Sequence, residues 1–296
     1  MLWMLAAILI CGASVFTACS SNDDNPFQPV VQVGIDKTNF PDDNFWNYLL
    51  EQDYGKDGVL TEAEIRNITV MDVSEKEIKS LKGIEYFTAL RTLNCSDNEL
   101  TELDISGNTA LDTLDCSYNE LTALDVSKNT ALRSLDCGFN ELTALDISKN
   151  TALTYLRCIG NSLTSLDISK NTALQLLQCS GNDLTALDVS ANTSLVYMAC
   201  DSNQLATLDL SKNMALKKLL CFKNQISGQN MDALIGSLRQ NESEEFCEFY
   251  VMDGNEPNQN VCTKSQAAAA KAKGWLPQYW DEDEEVWQEY EGSASS

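Results

Sequence analysis

Seven cysteines stand at a single interval of 21 residues: Cys95, Cys116, Cys137, Cys158, Cys179, Cys200 and Cys221. Thiols can ligate a metal, join as disulfides or act as nucleophiles, and each chemistry needs its own geometry. Equal spacing within one repeated pattern puts these side chains at equivalent places on neighbouring strands, about 4.8 Å apart. A disulfide prefers Cβ atoms about 3.8 Å apart and a twisted dihedral. A straight row of thiols closes no four-ligand metal cage either. The row therefore reads as buried free thiols that fill space as small apolar groups. Cys247 and Cys262 lie outside it and are the disulfide candidates of the chain.

Carboxylates are the other chemistry present. The chain of 296 residues has 44 Asp and Glu against 20 Lys and Arg, no histidine, and a net charge of −24. That balance excludes nucleic acid and anionic membrane surfaces as partners. Without histidine the commonest general base and zinc ligand are missing. Asp104, Asp125, Asp146, Asp167, Asp188 and Asp209 recur with the repeat, which suits a structural turn better than recognition. Residues 53–64, DYGKDGVLTEAE, resemble an EF-hand loop: Asp53 first, Asp57 fifth, Gly58 sixth, Leu60 eighth and Glu64 twelfth. That resemblance implies calcium ligands at Asp53, Asp57, Val59, Thr61 and Glu64, with Gly55 in place of the third ligand. A weak calcium site and a purely structural cap both remain open on these residues. No phosphate-binding loop, nucleophile elbow or carboxylate pair outside the repeat appears, so the expectation is a protein that is not an enzyme.

The elements that position these groups follow from the repeat. Residues 111–131, LDTLDCSYNELTALDVSKNTA, keep the frame L-x-x-L-x-C-x-x-N-x-L-x-x-L-D-[IV]-S-x-N of the other copies. A period this strict means a solenoid whose coils bury their apolar faces against each other. In L-x-x-L-x-C, Leu and Cys alternate with variable residues, the mark of a strand with one buried face. Asn98, Asn119, Asn140, Asn161, Asn182, Asn203 and Asn224 fall where the chain leaves the strand, placed to satisfy backbone groups of a tight bend. The frame resembles the leucine-rich repeats, in a short bacterial form with Cys at a usual Leu position, over residues 68–228. The expected fold is α/β: a leucine-rich repeat solenoid of about eight coils with its parallel sheet on the concave face. An imperfect first coil is read at Ile68, Met71, Val73, Ile78 and Leu81.

Around residues 67–228 the chain divides into an expected signal peptide (1–18), a flexible tether (19–34), an EF-hand-like helical cap (35–66) and an α/β C-terminal cap and tail (229–296). Phe16-Thr17-Ala18-Cys19 resembles the lipobox of bacterial lipoproteins, which implies that Cys19 is acylated and holds the chain to a membrane. The acidic stretch after it is similar to export signals of some anaerobic Gram-negative bacteria, implying a surface-exposed outer-membrane lipoprotein of the cell envelope. At the other end, helices near 231–239 and 263–273 flank a strand at 249–252, and the run 281–285 reads as a solvated turn.

The strand positions that face water differ from coil to coil. Thr92, Asn94, Thr113, Asp115, Ser134 and Asp136 are small, polar or acidic, whereas Tyr155, Arg157, Ile159, Leu176, Gln178, Tyr197, Leu220 and Phe222 are larger and more apolar. A contiguous stripe of this kind points to a protein partner, held by Tyr155, Arg157, Ile159, Leu176, Gln178 and Tyr197, with Asp115 and Asp136 facing its basic groups. The architecture resembles the internalin-like surface proteins, whose concave face grips protein partners, and the chain is expected to act as a monomer. Two other readings stand beside it: a glycan-binding module using Trp275, Trp280 and Trp287, and a structural envelope component with no soluble ligand.

Overall fold

In the computed structural model, which describes residues 32–243, 245–253, 260–281 and 284–293, every repeat contributes one three-residue strand to a single sheet. Strand β1 (Gln32–Gly34), helix α1 (Asp43–Glu51), β2 (Val59–Thr61) and helix α2 (Glu62–Asn67) form the N-terminal cap. Eight strands then follow one per coil: β3 (Val70–Asp72), β4 (Thr92–Asn94), β5 (Thr113–Asp115), β6 (Ser134–Asp136), β7 (Tyr155–Arg157), β8 (Leu176–Gln178), β9 (Tyr197–Ala199) and β10 (Lys218–Leu220). All pair parallel and in register, Leu114 beside Leu135 beside Leu156. The expected leucine-rich repeat solenoid is the fold of this chain.

The interior is apolar throughout. Leu114, Cys116, Leu121, Val126 and their counterparts have essentially no exposed surface, and each fully buried leucine contributes about 2 kcal/mol. All seven ladder cysteines are buried free thiols. Where the chain leaves the strand, the Asn140 amide donates to the carbonyls of Cys116, Cys137 and Gly138 at 3.0, 3.2 and 3.2 Å, and its Oδ1 accepts from the Leu121 N–H at 3.0 Å. Each amide thus serves its own coil and the one before. A second buried row behaves similarly: Asn129 Nδ2 donates to Ile105 O and Asn108 O of the preceding coil. On the outer side, Asp125 Oδ1 accepts from the Ser127 N–H at 2.8 Å and closes a turn. Hydrogen bonds from Ser127, with Lys128 nearby, hold that carboxyl below its usual range. The repeated aspartates are turn formers.

Several expectations need correction. Gln32–Gly34, inside the expected tether, is a strand paired antiparallel with Val59–Thr61, because the loop before α2 offers an unpaired edge. Cys247 and Cys262 are both free. Cys247 sits beside Leu216, ahead of β10, whereas Val261, next to Cys262, bonds Ile226 beyond it, so the two thiols lie toward opposite ends of the strands. The C-terminal cap also holds more strand than the sequence showed. After α3 (Gln229–Ser237), β11 (Cys247–Asp253) and, beyond α4 (Lys264–Ala272), β12 (Trp275–Asp281) extend the sheet in parallel. β13 (Val286–Glu289) closes it antiparallel to β12, across the run read as a solvated turn. Cys19 and the signal segment lie outside the described residues. No helix among those described is long and apolar enough to cross a membrane.

The thiol ladder makes stability depend on alkaline pH. Burial pushes every ladder thiol up, Cys179 to about 12, whereas an exposed thiol titrates near 8.5. The stabilisation from keeping these groups neutral is complete below about pH 8.5 and fades as pH climbs toward the folded value. Each thiol should then remove about 1.4 kcal/mol per pH unit. Urea unfolding followed from about pH 7, below free-thiol titration, to about pH 10.5, above it, should show this slope setting in near 8.5, and Cys137→Ala should flatten it by one thiol. Parallel curves for the two proteins would sink the account.

Candidate recognition surface on the concave face

Strands of three residues set two side chains per coil on the concave face, and parallel register stacks them into two rows. In the first row Ser134, Tyr155, Leu176, Tyr197 and Lys218 are successive partners on β6 to β10. In the second, Asp115, Asp136, Arg157, Gln178 and Ala199 succeed each other on β5 to β9. Tyr155, Leu176 and Tyr197 therefore form a continuous half-buried stripe, with Ile159 just beyond β7. This brings together the apolar residues expected to meet a partner. Burial first, then the Asp136 carboxylate, raises the Tyr155 hydroxyl above its usual range, so it stays neutral and can donate.

Arg157 and Asp136 are placed differently from expectation. Arg157 Nη1 contacts both Asp136 oxygens, at 2.9 and 3.1 Å, and both side chains are more than four-fifths buried. Burial pushes the Asp136 carboxyl up, and the guanidinium limits the rise. Burial also works against the Arg157 charge, but Asp136 outweighs it. The two contacts from Arg157 commit Asp136 within the chain, so it does not face a partner's basic groups. Asp115 accepts from the Ser117 N–H and hydroxyl through one oxygen and stays half-buried on the surface.

Toward the C-terminus the protein covers its own face. Trp287 packs against Tyr250, Phe222 and Trp280, with ring centroids 4.6, 5.2 and 5.5 Å away. Trp275 is fully buried, and its Nε1 donates to Arg239 O. These tryptophans build the cap: Trp275 lies inside it, and Trp280 and Trp287 are half-buried against each other. Lys218 lies 4.8 Å from the Tyr250 ring and 5.8 Å from that of Tyr197, and pairs with Glu248 at 2.7 Å. The recognition stripe thus ends at Tyr197.

In the N-terminal cap the EF-like positions are taken up by the fold. A Cβ on Gly55 would lie 1.8 Å from the Leu49 carbonyl oxygen, so no ligand-bearing side chain fits the third position. Asp53 pairs with Lys56, and Asp57 accepts from the Val59 N–H. Glu64 turns back to accept from the Thr61 N–H and hydroxyl, a capping box for α2. Among the described residues no three acidic, cysteine or histidine side chains converge on one point.

Two residues outside the expected set stand out. Tyr118 and Phe139, in the turns after β5 and β6, are exposed and stacked at 4.4 Å with an interplanar angle of 16°. Their spacing of 21 residues carried the signal, since equal repeat positions are neighbours in space.

The chain resembles solved leucine-rich repeat structures. It is 29% identical to the functional domain of InlJ from Listeria monocytogenes, a structure described as including a cysteine ladder, over 76% of this chain and 58% of that one, with a TM-score of 0.52. A leucine-rich repeat protein of Leptospira interrogans is 23% identical over 59% of this chain and 48% of its own, with a TM-score of 0.54. Internalin C2 of Listeria monocytogenes is 21% identical over 69% of this chain and 93% of its own, with a TM-score of 0.57. The chain spans little more than half of the InlJ domain and about half of the Leptospira protein. No family model and no curated protein matches it.

The Arg157–Asp136 pair supplies a stability test. Arg157→Met leaves a buried carboxylate without its cation and should cost about 2 kcal/mol; Asp136→Asn in the same chain should recover most of it. Denaturant midpoints of the parent and the two variants measure this, and a loss within about 0.5 kcal/mol would reduce the pair to a surface contact.

Proposed function

We propose that this chain is a binding protein of the bacterial cell envelope that recognises a protein partner non-covalently through its concave face. The observation that carries the reading is the continuous stripe Tyr155–Leu176–Tyr197 on three adjacent strands. Nothing in the architecture needs aromatic residues there, since the coils close through the leucines, cysteines and asparagines beneath. Tyrosine beside large apolar side chains is the composition that dominates protein interfaces. Gln178 and the rim of Asp115 supply hydrogen-bonding groups around it. The InlJ domain, which this chain resembles in fold, is likewise described as including a cysteine ladder. Anchoring is assigned to a lipid on Cys19, from its lipobox-like context, and the chain acts as a monomer. No residue is assigned a catalytic role, and the cap is read as structural, with its EF-like carboxylates engaged within the fold.

The test is capture by the immobilised chain, with and without chelator, followed by measured affinity for the protein identified. Tyr155→Ala combined with Tyr197→Ala should weaken that affinity at least about a hundredfold, since anchors of this kind contribute about 2 kcal/mol each, while thermal stability changes little. Undiminished binding by the double variant would remove the stripe as the site. Chelator should leave binding unchanged if the cap is structural.

A further inference from the structure

The residue two places after each ladder cysteine holds one backbone conformation in all seven coils, with φ between 48° and 63°, while its identity runs Asp97, Tyr118, Phe139, Gly160, Gly181, Ser202, Lys223. Glycine suits this left-handed region, and a bulky side chain there is uncommon and strained. Tyr118 and Phe139 nevertheless stand at this edge, 51% and 38% exposed. Their rings stack one per coil along the solenoid. Phe139 is closed on its other side: a Cβ on Gly160 would lie 2.7 Å from its ring, and the Arg157 guanidinium lies 5.2 Å from its centroid. Tyr118 ends the stack. Its outward face looks toward the coil of Asp97, whose carboxylate has no hydrogen-bond or ion-pair partner among the described residues.

The interior of the same edge shows what such a ring accepts. Arg157 lies over Phe139, is held by Asp136 and interacts with the Tyr118 hydroxyl from the side of Phe139. One coil earlier the acid and the ring recur as Asp115 and Tyr118; there Phe139 covers the face that Arg157 covers on Phe139, and the opposite face of Tyr118 is left open. Exposed Asp97, at the equivalent position one coil earlier, adds negative charge beside the open face. A planar guanidinium stacks on an aromatic face and pairs with a carboxylate at once, which an ammonium does less well. The charge of −24 draws a basic segment toward this surface.

We propose that the open face of Tyr118, flanked by Asp97 and Asp115, is a docking point for an arginine side chain of a protein partner, separate from the concave stripe. It rests on the reading that the ligand is a protein, but not on where along the concave face that protein sits.

The full chain, titrated calorimetrically with an alternating Gly-Arg peptide, tests it, with Gly-Lys and Gly-Gln peptides of equal length as controls. The expected order is Arg tighter than Lys, with no measurable Gln binding. Tyr118→Leu, which changes no charge, should weaken the Gly-Arg peptide about tenfold, whereas Tyr118→Phe should retain it. Asp97→Asn with Asp115→Asn should weaken it as well. Equal binding of the Arg and Lys peptides, unchanged in Tyr118→Leu, would mean diffuse attraction and overturn the site. So would a loss confined to Tyr155→Ala with Tyr197→Ala, which would put the peptide on the stripe instead. If the stripe variants lose the protein partner while Tyr118→Leu loses the peptide, the two surfaces are independent.

Discussion

The stack depends on one side-chain amide per coil. Where the chain turns out of each strand, backbone groups are sealed from water, and leaving one unpaired costs about 1–3 kcal/mol. Asparagine meets this with two donors and an acceptor at fixed reach: Asn119, Asn140 and Asn182 each bond the cysteine carbonyl of the coil before and of their own. Aspartate lacks the donors and glutamine reaches one methylene too far. The bonds to the preceding coil cross a coil boundary, and Asn98 makes the same bond, to Val73 O, across the longer step from β3 to β4. The second row, at Asn129, Asn150 and Asn171, bridges coils in the same way from the opposite side of the coil. With both rows satisfied, the strands have no freedom of register, and the sulfur atoms fall in line as a consequence.

That constraint divides the surface into two kinds of position. The outer turns repeat Asp, Ser and Asn because those residues hold the coil shut, as Asp146 and Asp167 do by accepting from Ser148 and Ser169. The concave positions and the left-handed edge carry no such duty, and their side chains change freely. Both ends of the sheet are covered in different ways. Asp42 caps α1 and also accepts from the N–H groups of Lys79 and Ser80, joining the N-terminal cap to the first coil. At the other end β13 supplies an antiparallel edge, and Gln266 ties α4 to α3 through Asp232.

The repeat was legible because its signals are local and sevenfold: leucine, cysteine and asparagine recur at one spacing, so the strands, the buried face and the amide row follow from spacing alone. What the spacing also held, but only between copies, was less visible. Asp136 and Arg157 are 21 residues apart, as are Tyr118 and Phe139, and stacking the copies makes each pair adjacent. The caps were read less completely for a different reason. Gln32–Gly34 and Val286–Glu289 are strands only because another strand offers them an edge, and nothing in three or four residues announces that. β12 contains Pro277, which argues against a paired strand in isolation, yet the flanking residues still pair with β11. For the concave site, sequence identified the residues that face outward, while their charge state depended on a neighbour one coil away.

Net charge alone therefore describes this surface poorly. Many of the acidic groups are engaged: the outer aspartates in turns, Asp136 by Arg157, Glu248 by Lys218, and Asp201 by the Ser180 hydroxyl at 2.6 Å. Engaged carboxylates still contribute to the long-range field that draws a basic partner, but they offer no lone pair to it without first breaking an internal contact. Local recognition falls to the few acids left open and to the aromatic rings beside them. Rings supply contact area at little cost in side-chain freedom, and their faces favour a cation over a neutral group. Away from the caps the open rings lie in the middle of the concave face and at the edge at Tyr118, and both adjoin the Asp136–Arg157 pair. Holding that pair rigid holds both surfaces in place, so a buried ion pair of modest stabilising value can still matter to binding through the positions of Tyr155 and Phe139.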